Sequence, residues 1–257
     1  MTLQIDLNAD MGEGFGPWRM GDDAALLDVV TSANIACGMH AGDWDVMAAT
    51  MRLAAARDVG IGAHPGFSDL QGFGRRRMSL PPDSLASLLH YQIGAAQAMA
   101  RAAGAPLRHL KLHGALANMA SEDKALALTC YRAARTVAPD ITLMVLAGTA
   151  QESAARDLGG PAACEIFADR AYNDDATLVD RKLPGAVIHD AETAAARVVE
   201  MLRAGAIVTA SGKHIATRID TVCLHGDTPD AVAMSRAIRD ALGGAGIAIA
   251  RLTGAAL

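Results

Sequence analysis

Short apolar runs recur along the whole chain, and each is closed by a glycine or a polar residue. Continuous apolar runs of this kind are typical of strands in a sheet that is covered on both faces. The pattern predicts seven strands, at residues 3–7, 33–37, 61–63, 109–112, 141–146, 164–167 and 221–224.

Between the predicted strands lie segments in which apolar residues recur at helical spacing. In the longest of them, Leu85, Leu89 and Ile93 share one face, as expected of a helix that packs against a sheet. Capping residues or prolines mark the starts of these helices, and glycines or prolines mark their ends. Four predicted helices have these limits: the first lies between Pro81-Pro82 and Gly104, the second between Ser121 and Pro139, the third between Asp190 and Gly205, and the fourth between Thr228-Pro229 and Gly243-Gly244.

Strands and helices alternate along the chain without a compositional break or a Pro/Ser-rich linker. This order predicts a single α/β domain over residues 1–257, with a parallel sheet that is either open or closed into a barrel. Residues 8–14 lack the Gly-x-Gly-x-x-Gly turn of an open dinucleotide-binding sheet. Polar residues also follow nearly every strand, as they do in a barrel whose loops build one shared site. Both features favour the barrel.

Composition and charge exclude several classes of function. The chain has 257 residues, with 23 Lys and Arg against 28 Asp and Glu and a net charge of −5, so it lacks the basic surface that nucleic acids require. Its apolar runs fall far short of the roughly 18 residues of a membrane span. The acidic start, with Asp6 and Asp10, does not resemble a signal peptide. We expect a cytoplasmic protein whose four scattered cysteines are reduced and buried.

Two polar segments are longer than tight connections, residues 168–189 after the sixth strand and residues 211–220 before the seventh. Long insertions on an α/β scaffold are more often lids or substrate loops than linkers. We interpret both as loops that border a site, with solvated excursions as the alternative.

Acids and histidines follow most of the predicted strands. A single histidine in such a place is more often structural, but four histidines in equivalent places favour a common site. In a barrel these groups converge, and together they could bind a divalent metal or act as general acid and base. The residues expected to converge are Asn8, Asp10, Glu13, Asn34, His40, Asp43, His64, Asp69, Lys111, His113, Glu165, Asp169, Arg170, His225 and Asp227.

Lys111 and His113 lie two residues apart, which places both side chains on the same face of a strand. In a barrel that face is the interior, where a lysine needs an acidic partner or an anionic ligand. A structural lysine–carboxylate pair is an equally good interpretation. Asp6, Asn8 and Asp10 alternate in the same way, and we expect at least one of them to pair with Lys111.

Three consecutive arginines, Arg75, Arg76 and Arg77, follow the third strand. Such a run is usually a solvated patch. Beside the mouth of a barrel, however, arginines could hold a phosphate or a carboxylate through paired hydrogen bonds.

Six long motifs occur at or near the strand ends. They are DLNADMGEGFG at residues 6–16, NIACGMHAGD at 34–43, GAHPGFSD at 62–69, KLHGAL at 111–116, FADRAY at 167–172 and LHGDTP at 224–229. In this order they resemble the LamB/YcsF family over nearly the whole chain. The charged and imidazole positions of the family's motifs are all present. The departures, at Ala33, Met39, Trp44, Leu112 and Ala117, change the apolar lining and bear on which lactam is accepted.

The resemblance implies a distorted seven-stranded (β/α) barrel of the glycoside hydrolase/deacetylase kind. It also implies ATP-dependent hydrolysis of 5-oxoproline to glutamate, performed as the A component of a 5-oxoprolinase together with subunits B and C. The expected cofactor is ATP with Mg²⁺. Metal participation is left open by the sequence.

Under this hypothesis, one group of residues performs the chemistry and another binds substrate or phosphate. The catalytic group comprises Asp10, His40, His64, Lys111 and His113, and the binding group Asn8, Glu13, Asn34, Asp43, Arg75, Arg76, Asp169, Arg170, His225 and Asp227. One alternative is a metal-dependent amidase or deacetylase that uses Asp10, His40 and His64 as metal ligands without ATP. Another alternative is a non-catalytic subunit that binds the substrate.

Overall fold

The computed structural model describes residues 3–224 and 231–257. Its strands are β1 (Gln4–Met11), β2 (Ser32–Ala36), β3 (Gly60–His64), β4 (Leu107–Lys111), β5 (Thr142–Leu146), β6 (Pro161–Phe167), β7 (Ala206–Val208), β8 (His214–Ala216), β9 (Thr221–Leu224), β10 (Ala248–Ile249) and β11 (Ala255–Ala256). Strands β1 to β6 pair in parallel in chain order, and β9 pairs with both β6 and β1. The seven strands therefore form a closed barrel.

Helices pack around the outside of this barrel. They are α1 (Asp23–Leu27), α2 (Trp44–Ala56), α3 (Pro82–Ala102), α4 (Gly114–Glu122), α5 (Lys124–Val137), α6 (Ala150–Leu158), α7 (Ala191–Ala204) and α8 (Ala231–Gly244). Within the described residues, every helix is too short or too polar to span a bilayer.

The prediction of an α/β barrel with seven core strands is confirmed. The structure differs from the prediction in the length of β1 and in one connecting segment. Strand β1 continues beyond residue 7 to Met11 because residues 8–11 pair with β2. The interpretation of residues 211–220 as a loop is wrong in part, because they contain β8, which forms an antiparallel hairpin with β7. All four cysteines are free and buried, as expected.

The helix limits show where capping chemistry could be predicted. Asp190 caps α7 by accepting a hydrogen bond from the Thr193 backbone N–H, and the helix ends at Gly205 in the left-handed conformation, as predicted. The predicted helix start at Ser121 is wrong because this residue lies inside α4. The cap of α5 is Asp123, whose carboxylate accepts from two backbone N–H groups. The predicted start at Thr228-Pro229 lies outside the described residues.

Polar residues of β1 face the interior of the barrel, and the apolar residues that alternate with them belong to the hydrophobic core. Asp6, near the start of β1, accepts hydrogen bonds from the hydroxyls of Ser32 and Thr221 at 2.7 and 2.5 Å. Asn8, next along the same face, donates to Thr221 Oγ1 at 2.8 Å. Asp10 then reaches the carboxyl end of the strand. Alternate residues of a strand point to the same side. Asp6, Asn8 and Asp10 therefore form a row that runs from a layer of buried hydroxyl groups to the carboxyl end of the barrel.

Gly62 on β3 provides the space that His109 occupies inside the barrel. A Cβ at position 62 would lie 2.1 Å from His109 Nε2, a contact that forces the imidazole to move. We expect Gly62→Ala to lower the free energy of unfolding by about 1–3 kcal/mol through overpacking, measured by chemical denaturation. The control is Gly94→Ala in α3, where a Cβ meets nothing within 4 Å and we expect a gain of roughly 0.5–1 kcal/mol. Equal effects at both positions would contradict the packing argument.

Candidate active site

A cavity of about 760 Å³ opens at the carboxyl ends of the barrel strands. Asp10 and Lys111 line its floor, and the arginine run at residues 75–77 lines one wall. Another wall comes from residues within 170–182, so the long segment after β6 borders the cavity, as its length and polarity predicted. None of the described lining residues belongs to the second predicted loop, residues 211–220.

Lys111 lies at the centre of the floor and is only 4% exposed. Its Nζ lies 3.0 Å from Asp10 Oδ1 and 2.8 Å from Glu165 Oε1, and it donates to Cys223 Sγ at 2.9 Å. Burial lowers the pKa of Lys111, but the nearby carboxylates outweigh burial and hold the pKa well above its usual value. The side chain is therefore a fixed positive charge. The acidic partner expected among the residues of β1 is Asp10.

Asp10 is held by one carboxylate oxygen. Its Oδ1 accepts from Lys111 Nζ and, at 2.8 Å, from Asn34 Nδ2, while Oδ2 faces His64 Nε2 at 3.3 Å. The side chain is 14% exposed, and the residue lines the cavity. This geometry orients the carboxylate between a permanent cation and an imidazole at the edge of solvent.

Three histidines from three different strand ends lie against one another. The rings of His40 and His113 stack with centroids 3.6 Å apart and planes 7° apart. His64 meets both edge-on, at 5.5 Å from the His40 ring and 4.8 Å from the His113 ring. His64 and His113 line the cavity, whereas His40 lies behind them. The predicted convergence of these three side chains therefore occurs.

Backbone carbonyls fix the tautomers of two of these rings. His64 Nδ1 lies 2.8 Å from the Lys111 carbonyl oxygen, and His113 Nε2 lies 2.8 Å from the Phe73 carbonyl oxygen. A carbonyl oxygen only accepts hydrogen bonds, so each of these nitrogens carries a proton. The opposite nitrogens, His64 Nε2 and His113 Nδ1, face each other at 3.0 Å.

Burial keeps the stacked pair uncharged. It lowers the pKa of His113 to about 3, with the neighbouring His64 adding to the effect. Burial also lowers the pKa of His40 well below its ordinary value, and both neighbouring imidazoles contribute. At neutral pH these two rings therefore offer lone pairs rather than positive charge.

Glycines allow the loops to approach this cluster closely. Gly74 has φ +61°, and a Cβ there would lie 2.7 Å from His40 Cβ and 2.8 Å from His113 Cδ2. Gly114, at the start of α4, has φ +54°, and its Cβ would lie 2.7 Å from the Gly74 carbonyl oxygen. Only glycine combines this backbone conformation with this clearance.

His109 supports the site from below, a role the sequence did not reveal. His109 lies on β4 and is buried, and its Nε2 lies 2.8 Å from Asn34 Oδ1. Asn34 in turn donates to both Asn8 Oδ1 and Asp10 Oδ1. His109 thereby fixes the amide orientation of Asn34, which orients Asp10. At the edge of its predicted strand His109 is expected to be structural, and nothing in the sequence signals this contact.

The buried His109 predicts a specific pH dependence of stability. Burial lowers its pKa to about 3, below the roughly 6.5 expected when the chain unfolds. Between these values the unfolded state binds a proton that the folded state does not, so the stability due to this group is lost as the pH falls. In His109→Gln, chemical denaturation from pH 6 to 4 should show a slope shallower by up to about 1.4 kcal/mol per pH unit. An unchanged slope would contradict a neutral, buried His109.

The outer part of the cavity is cationic. Among its described lining residues, seven are cationic and four are acidic. Arg76 pairs with Asp69, Arg77 pairs with Glu122, and the Arg75 guanidinium lies 4.7 Å from the centroid of the Phe73 ring. This arrangement favours anionic ligands at the mouth.

Arg170 also faces the cavity and is 5% exposed. Its guanidinium donates to the Val179 carbonyl oxygen at 2.7 Å and to the Ala186 carbonyl oxygen at 3.3 Å, which ties separate parts of the long segment after β6 to one another. Burial lowers its pKa to about 10, so it remains charged at neutral pH.

Other residues expected at the site lie elsewhere. Asp43 caps α2, accepting from the backbone N–H groups of Asp45 and Val46 and also from Gly16, so its carboxylate orders two loops and does not line the cavity. Asp169 lines a separate cavity of about 160 Å³ on the other side of the loop. Asn8 is fully buried beneath the floor. His225 and Asp227 lie outside the described residues.

Four side chains of the cluster could share a metal ion. One donor atom from each of Glu13, His40, His64 and His113 lies within 4.8 Å of the others. The ligand set suggested by the sequence was Asp10, His40 and His64. In the structure Asp10 pairs with Lys111. The side chains that could ligate a metal together with His40 and His64 are Glu13 and His113.

Known proteins are similar to this chain in sequence and in fold. A protein of Ruegeria pomeroyi that is named as the A subunit of 5-oxoprolinase is 64% identical over 246 residues, which cover 96% of this chain and 97% of that protein. The crystal structure of a lactam utilization protein from Thermus thermophilus superposes with a TM-score of 0.90 at 42% identity, covering 97% of this chain and 100% of the other.

A more distant likeness shows the fold alone. The family 4 carbohydrate esterase of Streptomyces lividans superposes with a TM-score of 0.50 at 11% identity, covering 96% of this chain and 91% of the esterase. The two proteins therefore share a barrel fold. Residues 5–256 match the LamB/YcsF family, and the chain belongs to that family.

Proposed function

We propose that this chain is the A subunit of a 5-oxoprolinase and that its cavity holds 5-oxo-L-proline during ATP-dependent hydrolysis to L-glutamate. Subunits B and C are its proposed partners, and the cytoplasm, where ATP is available, is the proposed location. The observation that carries the proposal is 64% identity, over 96% of this chain, to a protein named as the A subunit of 5-oxoprolinase. The cavity supports it by joining a cationic mouth to a floor with a carboxylate and an ammonium group.

The chemistry explains why ATP is required. An unstrained amide is a poor electrophile, and phosphorylation of the lactam oxygen makes the carbonyl carbon more electrophilic. We propose that the lactam oxygen attacks the γ-phosphorus of ATP and that ADP leaves. Water then adds to the activated carbon, and cleavage of the C–N bond yields an acyl phosphate and the free amine. A second water attacks the acyl carbon and releases phosphate, so one lactam, one ATP and two waters give glutamate, ADP and phosphate.

Asp10 is the group to which we assign proton transfer. Its carboxylate lies on the cavity floor, with Oδ1 held by Lys111 and Asn34 and Oδ2 directed toward His64. In the proposed reaction, Asp10 accepts a proton from the attacking water and returns it to the ring nitrogen when the C–N bond breaks. The same side chain then serves first as base and then as acid.

Lys111 supplies fixed positive charge beneath this reaction. Its ammonium lies between Asp10 and Glu165 and requires no reorganisation as negative charge develops on the tetrahedral adduct. Charges fixed in advance in an enclosed site stabilise a transition state more effectively than mobile solvent does. His64 and His113 line the same cavity, and Asn34 and Lys111 hold Asp10 in place.

The cationic mouth fits the two anionic parts of the reaction. 5-Oxoproline carries a carboxylate, and the activated lactam carries a phosphate. Arg75, Arg76 and Arg170 line the cavity above the floor, where guanidinium groups could pair with either anion. The lactam lacking the carboxylate, 2-pyrrolidinone, is therefore the matched control substrate.

The test is to combine the purified chain with subunits B and C and to measure glutamate and ADP. We expect glutamate only when 5-oxoproline, ATP with Mg²⁺ and all three subunits are present, at one ADP per glutamate, and a much lower rate with 2-pyrrolidinone. Glutamate formed by this chain without ATP would instead support an ATP-independent amidase. A complete complex that never opens 5-oxoproline would refute the proposal.

A further inference from the structure

The contact between His64 and His113 is unfavourable unless a positive charge lies beside it. Each ring has one N–H group on a backbone carbonyl, so in the neutral rings the two remaining nitrogens carry lone pairs. These nitrogens face each other at 3.0 Å. Two acceptors at hydrogen-bonding distance repel unless a proton or a metal ion lies at the contact.

Two more side chains of the cluster, Glu13 and His40, place an atom that could ligate a metal ion near this contact. Glu13 is 8% exposed and His40 is 1% exposed. Among the described residues, neither ring nitrogen of His40 has a hydrogen-bond partner, although both are buried. Burying unsatisfied imidazole nitrogens is costly. A proton shared by His64 and His113 would leave those of His40 unsatisfied.

We propose that Glu13, His40, His64 and His113 bind one divalent transition-metal ion of the zinc class. Three imidazoles and a carboxylate form a donor set that suits Zn²⁺ or Co²⁺, rather than Mg²⁺ or Ca²⁺, which prefer all-oxygen ligands. Four ligands at about 2 Å from such an ion are separated by roughly 3.3 Å, and the donor atoms here all lie within 4.8 Å of one another. Small side-chain rotations therefore close the site.

The surroundings of the cluster resemble the supporting shell of a metal centre. Histidine ligands usually donate their second N–H group to a backbone carbonyl or a carboxylate, which fixes the ring and its tautomer. The Lys111 and Phe73 carbonyls do this for His64 and His113. Three of the four proposed ligands, Glu13, His64 and His113, also line the cavity, so the ion would have an open side toward a ligand.

The proposal is tested by metal binding itself, which does not depend on the lactam reaction. The full-length chain is stripped with a chelator and titrated with Zn²⁺ by calorimetry and with Co²⁺ by visible spectroscopy. We expect one ion per chain, the absorption bands of Co²⁺ with nitrogen and oxygen ligands, and at least a hundredfold weaker binding in His113→Gln and His64→Gln. Glu13→Gln, which keeps its shape, should weaken binding without removing an imidazole.

The control is His109→Gln, which removes a buried histidine that lies outside the donor set and bonds to Asn34. It should retain full stoichiometry and affinity. Failure of the wild-type chain to bind either ion saturably would overturn the proposal and leave a shared proton as the explanation of the contact. Binding that survives His64→Gln, His113→Gln and Glu13→Gln would also overturn it, by placing the ion elsewhere.

Discussion

Replacing Asp10 with asparagine should reduce glutamate release by the reconstituted complex by a factor of about 10²–10⁴, the range typical of losing a general acid–base group. The substitution retains the shape of the side chain and its hydrogen bonds from Asn34 and Lys111. Lys111 also retains Glu165 as a partner at 2.8 Å. We therefore expect the thermal transition to move by only a few degrees while activity collapses.

The control for this variant is Asp6→Asn on the same strand. Asp6 is buried in the hydroxyl layer of the barrel and accepts from Ser32 and Thr221, away from the cavity. It should lose stability and retain its turnover per folded molecule, the opposite signature. If Asp10→Asn retains full activity, Asp10 is not the group that transfers the proton.

Replacing Lys111 with methionine should lower the free energy of unfolding by about 3–5 kcal/mol, because the buried Glu165 carboxylate and the partly buried Asp10 carboxylate lose the cation between them. Asp10 and Glu165 both lie within 3.0 Å of the ammonium nitrogen. For a domain of this length such a loss lowers the thermal midpoint by roughly 10 °C. Turnover should also be lost, because the floor no longer carries a fixed positive charge.

The matched control is Lys124→Met on the surface. Lys124 pairs with Asp157 at 2.7 Å, but both side chains are about half exposed, at 42% and 53%, so the loss should stay within about 1 kcal/mol. Adding Glu165→Gln to Lys111→Met should restore part of the stability by removing one uncompensated charge. A Lys111→Met chain as stable as Lys124→Met would show that the ion pair does not stabilise the fold.

The fold and the convergence at the site were predictable because they depend on the order of elements. Closure of a parallel barrel brings the carboxyl ends of its strands together, so His40, His64 and His113 could be assigned to one place from their positions after strands. The pairing of Lys111 with an acid of β1 was predictable for a similar reason, since strand alternation places Asp10 and Lys111 in the same interior.

What could not be predicted depends on side-chain geometry across the barrel. Nothing in the sequence distinguishes Asp43, which caps a helix, from Asp10, which lines the cavity, because both follow a strand. Cys223 is free and buried, as expected, but that expectation does not reveal its contact with Lys111, from which its sulfur accepts a hydrogen bond. The contact of His109 with Asn34 depends on the missing side chain of Gly62, and such a clearance is visible only in three dimensions.

The most direct test of the central claim follows the lactam oxygen. 5-Oxoproline labelled with ¹⁸O at the lactam carbonyl is given to the reconstituted complex with ATP, and the released phosphate is analysed by mass spectrometry. If the lactam oxygen is phosphorylated and water attacks the carbon in both hydrolytic steps, the label appears in inorganic phosphate. Glutamate that retains all of the label, or that forms without ATP, would contradict the proposed reaction.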